Sequence, residues 1–368
     1  MKSAWQLELH NFWMWLDKKS EVDGDWAVGV SGGADSLALV LLLKEWCVKH
    51  KRNFTALTVQ HGLRPEAEDE ARYVAQLMKA HGIKHQILYW QGEKPSRGIE
   101  NAARVARYTL MYDWCMQNGA SALLIAHHKR DQAETFLMRL QRGSGVDGLS
   151  AMAPLVKWKN LYIARPLLQI NPEDLKTYLQ KQDIAWVEDA SNDCDDFLRV
   201  KIRKLLPELE ASIGLSRERL CNTAMEMARV RDYLEKQTDS FINHEVKFWD
   251  SVGASFSPIA LLSLHEEIGL RVLSSLLKKI SGKIYPPNLE EVERVWEALH
   301  QSDFSGRTLS DCEIFKFQKQ FWIVKEIKSP HKLSKQVWAD FVAANPQFAA
   351  KELPYKLRRA LETRKLSD

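Results

Sequence analysis

From residue 26 to residue 141 the chain alternates short apolar runs with helical stretches, and this alternation narrows the fold more than any other feature. Runs at 26–30 (WAVGV), 55–60 (TALTVQ), 85–90 and 122–126 (ALLIA) have the length and apolar content of buried strands. The stretches 37–49, 66–81, 100–118 and 131–141 have helical spacing, and glycines at 82 and 119 close two of them. Strand and helix in turn, with short connections, predict a parallel twisted sheet with helices on both faces. Such a sheet binds ligands at the carboxyl ends of its strands, where the strand order reverses. The loops after the first, second and fourth strands are therefore the ones to inspect.

Further on the pattern changes. An amphipathic helix is expected over residues 1–20, a long helix over 215–245, two more over 258–280 and 288–300, and a hairpin over 312–327. The expected organisation is an α/β domain over 1–212, a mainly helical domain with a terminal hairpin over 213–329, and a basic tail over 330–368. The overall class is α/β, followed by a mainly helical part and a small C-terminal α+β part. Residues 331–368 hold eight Lys/Arg and four Asp/Glu, a balance of +4 that equals the charge of the whole chain. A basic tail suits a nucleic-acid partner, and equally a solvated helix face.

The longest aliphatic run, 37–43, has seven residues, against the ~18–20 of a membrane span. Residues 1–20 also lack the build of a secretion signal. A soluble cytoplasmic protein is expected. The five cysteines (47, 115, 194, 221, 312) contain no CxxC pair, so free thiols are expected and a zinc ribbon is not.

The loop after the first strand is Ser31-Gly32-Gly33-Ala34-Asp35-Ser36. Its glycines allow a tight turn and close approach to a ligand. Successive backbone N–H groups, a helix N-terminus and two hydroxyls can surround an anion. A carboxylate beside a phosphate, Asp35, makes sense with Mg2+ between them. The loop lacks the lysine of GxxxxGK[ST] and is not GxGxxG. The plainer alternative is an ordinary strand-to-helix turn with Ser31 or Asp35 as its cap.

This hexapeptide resembles the pyrophosphate-binding loop of the N-type ATP pyrophosphatases, and further segments resemble one family among them, the tRNA(Ile)-lysidine synthetases. They are His61-Gly-Leu-Arg-Pro-Glu66, Glu100-Asn-Ala-Ala-Arg104-Val-Ala-Arg107-Tyr108, and Ala126-His127-His128-Lys129-Arg130-Asp131-Gln132-Ala133-Glu134-Thr135. They continue as Arg142-Gly-Ser-Gly145 with Gly148-Leu149, then Arg165-Pro-Leu-Leu168, then Glu188-Asp-Ala-Ser-Asn-Asp193. Two positions depart from the family. Arg130 stands where many members have the first Asp of a pair, and Val200 where an RNxIR segment has Asn.

The resemblance implies a PP-loop, Rossmann-like catalytic domain. It implies that ATP adenylates the carbon-2 oxygen of the wobble cytidine in the CAU-anticodon isoleucine tRNA. L-lysine then displaces AMP and forms lysidine. ATP and Mg2+ are the expected cofactors, and tRNA and L-lysine the expected partners, with no membrane and with a homodimer left open. By this reading Ser31, Gly32, Gly33, Ala34, Asp35, Ser36, His61, Arg104 and Arg107 hold ATP. Asp35 and Asp131 hold the metal, and Asp35, Asp131 and His127 are catalytic. Asp131 and Glu134, three apart on a helix, could point together at lysine or at Mg2+. Arg104 and Arg107 share a face and suit phosphates of ATP or RNA, or else ion pairing with Glu100. Arg199, Lys201 and Arg203, beside Lys204, suit a phosphate-tracking surface. A tRNA thiolase of the same superfamily and a non-catalytic RNA binder are the alternatives. The first lacks its cysteine pair here, and only Arg130 supports the second.

Overall fold

The computed structural model describes residues 3–63, 66–92, 94–95, 97–188, 197–249 and 252–326. The tail 330–368, the boundary near 329, Arg64 and Pro65, residues 189–193 and Cys194 lie outside the described residues. The chain parts into two compact units, residues 1–231 and 232–368.

In the first unit α1 (Ala4–Asp17) leads into β1 (Trp26–Gly29), α2 (Ala34–His50), β2 (Phe54–Gln60), α3 (Glu66–Ala80), β3 (His85–Tyr89), α4 (Ile99–Asn118) and β4 (Ala122–Leu124). There follow α5 (Lys129–Gln141), a single turn α6 (Val146–Leu149), β5 (Leu155–Trp158), β6 (Leu161–Ala164), α7 (Pro172–Lys181) and α8 (Phe197–Ile213). Helix α9 (Arg217–Glu245) then runs across the division between the units. The sheet order is β3-β2-β1-β4-β6-β5. All neighbours are parallel except the edge pair β5–β6.

Alternate residues of the central strands feed two cores, as a pleat requires. Trp26, Val28, Ala56 and Leu124 join residues of α1, α2, α3 and α7 on one face. Ala27, Leu57 and Leu123 meet Met111 and Cys115 of α4 on the other. Burial on both faces explains why these strands read as continuous apolar runs. On the first face Trp26 stacks on Trp13 and on Trp46, and the three rings lie 5.6–6.2 Å apart between centroids. Each such pair adds about 1 kcal/mol to its area burial.

The expected parallel sheet is present and larger than the sequence suggested. Strands β5 and β6 were not foreseen. Each has four residues, and the exposed Lys157 breaks up the apolar pattern of β5. Helix α5 begins at Lys129 rather than 131, because His128 acts as its N-cap.

The second unit holds β7 (Val246–Trp249), β8 (Gly253–Phe256), α10 (Pro258–Leu262), α11 (Glu266–Ser281), α12 (Leu289–Leu299), β9 (Arg307–Leu309), β10 (Cys312–Phe317) and β11 (Gln320–Lys325). The expected hairpin exists as β10–β11, but it is part of a five-stranded antiparallel sheet, order β7-β8-β11-β10-β9. Phe256, Leu273, Leu276, Trp296, Ile314 and Ile323 build its core. The extra strands are three or four residues long, and β7 follows α9 without a break, so no periodicity announces them. Gly253 marks the tightest point. A Cβ there would lie 2.1 Å from the Ile323 carbonyl oxygen, so only glycine lets β8 pass β11 at this register.

Candidate active site

Strand order reverses on either side of β1, with β2 to one side and β4 to the other. The loops leaving these three strands carry 31–36, His61 and His127–His128. These are the three loops that the sequence singled out.

The end of β1 is fixed from its neighbour. Val30 N–H donates to the Leu57 carbonyl at 2.8 Å, and the Thr58 hydroxyl donates to the Val30 carbonyl at 2.9 Å. That hydroxyl also lies 2.8 Å from His85 Nε2. The hydroxyl proton is committed to Val30, so the ring nitrogen is the donor of the second bond. Beyond Val30 the loop turns at Gly32, φ +89°. The Gly32 carbonyl accepts from Val187 N–H at 3.0 Å. Ser31 N–H donates to Ser36 Oγ at 3.1 Å, and Ser36 Oγ donates to the Gly33 carbonyl at 3.0 Å. Gly33 is the N-cap of α2, and the first intrahelical bond is Leu37 N–H to Gly33 C=O. The N–H groups of Ala34, Asp35 and Ser36 therefore precede the helical ladder and face outward at the positive end of a 17-residue helix. Such an arrangement can cradle an anion.

Gly32→Ala should damage the cradle twice. The positive φ disfavours a side chain, and the new Cβ would meet Val74 Cγ2 at 3.2 Å and Val187 Cγ2 at 3.4 Å. A stability loss of about 1–2 kcal/mol, read by thermal melting, is expected together with a KM for ATP raised at least about tenfold. An unchanged KM would show that the loop does not hold the nucleotide.

The second half of the site comes from α5. His128 and Asp131 form a reciprocal cap. His128 N–H donates to Asp131 Oδ2 at 2.9 Å, and Asp131 N–H donates to His128 Nδ1 at 3.4 Å. The His128 ring also lies 3.2 Å from Asp131 Oδ2 and, through Nε2, 3.4 Å from Asp35 Oδ2. One imidazole thus ties the glycine loop to α5. Burial opposes charge on this ring, but Asp131 and Asp35 outweigh it, and the pKa is raised. Burial likewise works against the Asp131 carboxylate, and His128, His127 and the backbone bond reverse this, so its pKa is lowered. Both shifts favour the charged form of their group, and in the charged ring Nδ1 donates to Asp131 Oδ2 instead of accepting the Asp131 N–H. Asp35 Oδ1 is shielded from solvent with no hydrogen-bond partner.

His127 takes a different state. Burial first, and then Arg165, Arg104 and Arg199 against the opposing Asp131, bring its pKa down to about 4. It is a neutral ring whose Nδ1 has no partner. His61 is lowered by burial, Arg107 and Lys94, and its Nδ1 is also unpartnered. It packs edge-on against Trp90 at 5.9 Å. Arg104 and Arg107 share a face of α4 as expected, and both lie over the Tyr108 ring at 5.5 and 5.8 Å.

Two expectations are corrected. Glu134 does not turn with Asp131 toward a shared ligand. It is fully buried, with Oε1 accepting from Arg203 Nε at 2.9 Å and Oε2 3.0 Å from Arg199 Nε. For the same reason Arg199 and Arg203 do not form an outward phosphate-tracking row. Only Lys201 and Lys204 of that stretch are exposed. Three residues along a helix is a 300° turn, and here that puts Glu134 against α8.

Arg130 points away from the site. Its guanidinium donates to Glu173 Oε1 at 2.7 Å, and Arg217 meets the same carboxylate at 3.2 Å. Arg130→Asp, which restores the usual family residue, is therefore expected to keep activity within about threefold. These side chains are 33% and 55% exposed, so it should cost under about 1 kcal/mol. A larger kinetic effect would place Arg130 in the site after all. Residues that sequence reasoning left without a role are Thr58, Val187 and Arg165. Arg165 donates to the Ala153 carbonyl at 2.9 Å while its Nε is buried without a partner. The Arg165-Pro-Leu-Leu168 segment was its only signal.

A parallel sheet with a glycine cradle and paired carboxylates at its switch point defines an ATP-using enzyme of the PP-loop class, and residues 6–209 match the PP-loop domain. The curated relatives are more specific. The tRNA(Ile)-lysidine synthase of Wolbachia pipientis wMel is 38% identical over 303 residues, covering 82% of this chain and 70% of that protein. That of Rhodopseudomonas palustris is 41% identical over 282 residues, covering 75% and 80%. The chain belongs to the tRNA(Ile)-lysidine synthase family. Among solved structures, the U34-tRNA thiolase NcsA from Methanococcus maripaludis is similar in fold, with a TM-score of 0.52 at 17% identity over 62% of this chain and 79% of that one. Membership makes the chain an ATP-dependent ligase that forms lysidine on the CAU-anticodon isoleucine tRNA, releasing AMP and pyrophosphate. No described helix is long and apolar enough to cross a membrane.

Proposed function

We propose the following division of labour within that reaction. The observation that carries it is the His128 ring set between Asp35 of the glycine loop and Asp131 of α5. Ser31, Gly32, Gly33, Ala34 and Ser36 hold the pyrophosphate half of ATP through backbone N–H groups and hydroxyls. His61, Arg104 and Arg107 border the rest of the nucleotide. Mg2+ fits the donor set, since Asp35 Oδ1 is a buried carboxylate oxygen with no partner. Mg2+ dehydrates reluctantly and would take most of its other ligands here from phosphate and water. When bound it offsets the charge growing on pyrophosphate, with Asp35 and Asp131 as its protein carboxylates.

His128 holds the two carboxylates in register. Asp131 presents its second oxygen to the cationic end of L-lysine and orients the attacking amine. His127, neutral and with an unpartnered Nδ1, is placed as a catalytic hydrogen-bond acceptor that orients the attacking amine. Glu134 enters only by fixing α5 against α8 through Arg199 and Arg203. Residues 213–329 and the basic tail supply further tRNA contacts, and the enzyme works in the cytoplasm, where tRNA and ATP are found. A homodimer is tested by light scattering.

The test is AMP release from ATP with the CAU isoleucine transcript, with and without L-lysine. Release that needs both tRNA and lysine supports the assignment. Release that ignores lysine would point to another nucleophile, as in a thiolase. The described cysteines 47, 115, 221 and 312 are all buried and unpaired, and offer no sulfur carrier.

A further inference from the structure

Helix α4 is the element of the first unit that packs on the second sheet face, and one flank of it carries rings and cations in alternation. Tyr108 and Tyr112 are one turn apart. The Trp158 ring meets both edge-on, at 6.0 and 5.2 Å between centroids. Lys159 Nζ lies 4.7 Å from the centre of the Tyr112 ring and 5.1 Å from that of Trp158. Arg104 and Arg107 over Tyr108 continue the row toward the active-site end of the sheet.

The turn that presents Lys159 is strained. Trp158 pairs with Leu161, so Lys159 and Asn160 make a two-residue hairpin loop. Lys159 has φ +54°, and Asn160 is not among the residues with positive φ. A turn with positive φ only at its first central residue favours glycine there. A lysine in that place costs on the order of 1 kcal/mol. Burial gives no return for this cost, because Lys159 is exposed. It has no carboxylate partner among the described residues, and its contacts are the two ring faces. Strand β5 is also the edge of the sheet, so no strand flanks the hairpin on its outer side.

We propose that the β5–β6 hairpin tip and this flank of α4 form a contact surface for the tRNA, along the strand that leads away from the reacting base. Charge complementarity selects the partner. Rings with cations over their faces, in a row that reaches the active-site end, match the alternation of bases and phosphates in an unpaired RNA segment. The proposal uses only the tRNA reaction of the family and not the division of roles proposed above.

The experiment measures binding of the unmodified CAU isoleucine transcript to the full chain over a range of salt, for the wild type, Lys159→Gly, Trp158→Leu and Lys49→Ala. Lys159→Gly removes the charge and relieves the turn. It should bind about threefold more weakly, with the slope of log K against log salt reduced by about 0.7–0.9, while melting no lower than the wild type. Trp158→Leu should weaken binding about tenfold with the slope unchanged, since it removes stacking and no charge. Lys49→Ala, on α2 against the opposite face, should match the wild type. Wild-type affinity and slope in both hairpin variants would overturn the surface. So would an equal loss in Lys49→Ala, which would mean that charge is sensed without regard to place. A wild type that does not bind the transcript would overturn the tRNA partner itself.

Discussion

Asp131→Asn is expected to lower tRNA- and lysine-dependent AMP release by about 10³-fold while the protein stays folded. The two effects separate because the carboxylate has two jobs. As a cap, Oδ2 accepts the His128 N–H at 2.9 Å, and an amide side-chain oxygen can accept the same bond, so the cost to stability should stay under about 1 kcal/mol. As a charge, the carboxylate balances the His128 ring and faces the crevice, and the amide cannot replace it. In this variant the pKa of His128 should fall back from its raised value, because its largest favourable partner is gone. Thermal melting and AMP release measured on the same preparation check both halves. A variant that releases AMP at near the wild-type rate would remove Asp131 from the chemistry.

Glu134→Gln should fail in the opposite way, through the fold. Glu134 has no exposed surface and is the shared counter-charge of Arg199 and Arg203. The amide retains the shape and loses the charge, leaving two partly buried guanidinium groups facing each other. Breaking a buried ion pair from one side costs about 3 kcal/mol or more. For a unit of this size that is a melting point lower by roughly 6–12 °C. Adding Arg203→Gln to Glu134→Gln should cost less than Arg203→Gln does alone, since the carboxylate it served is already neutral. That coupling, of about 1–3 kcal/mol, is the signature of a shared network. If Glu134→Gln melted with the wild type and lost lysine dependence instead, Glu134 would be a ligand residue, as its spacing from Asp131 first suggested.

Those two residues show where reading the chain stops. Asp131 and Glu134 lie in one motif, and at three residues apart they look equivalent. What separates them is α8, whose two arginines claim Glu134 and leave Asp131 to His128. No local pattern says which of two neighbouring carboxylates a distant helix will neutralise. The same holds for Arg130. It stands where many members of the family have an Asp, and its charge is taken up in a surface ion pair with Glu173 on α7.

The alternation of strand and helix, the glycine loop and the histidines after the second and fourth strands were legible because each is a local signal. A strand buried on both faces must be apolar along its whole length, and a loop that cradles an anion must free its backbone with glycine. These constraints act over a few residues, so the chain by itself determined the parallel sheet, the position of its glycine loop and the family of reaction. The tertiary structure decided what depends on contacts between distant segments. The edge pair β5–β6 and the antiparallel sheet of the second unit are built from strands of three to six residues, which gain their stability from neighbours rather than from their own pattern. Packing likewise decided that one imidazole joins Asp35 to Asp131, two residues far apart along the chain. Charge and burial are properties of a position in space, and only folding assigns them.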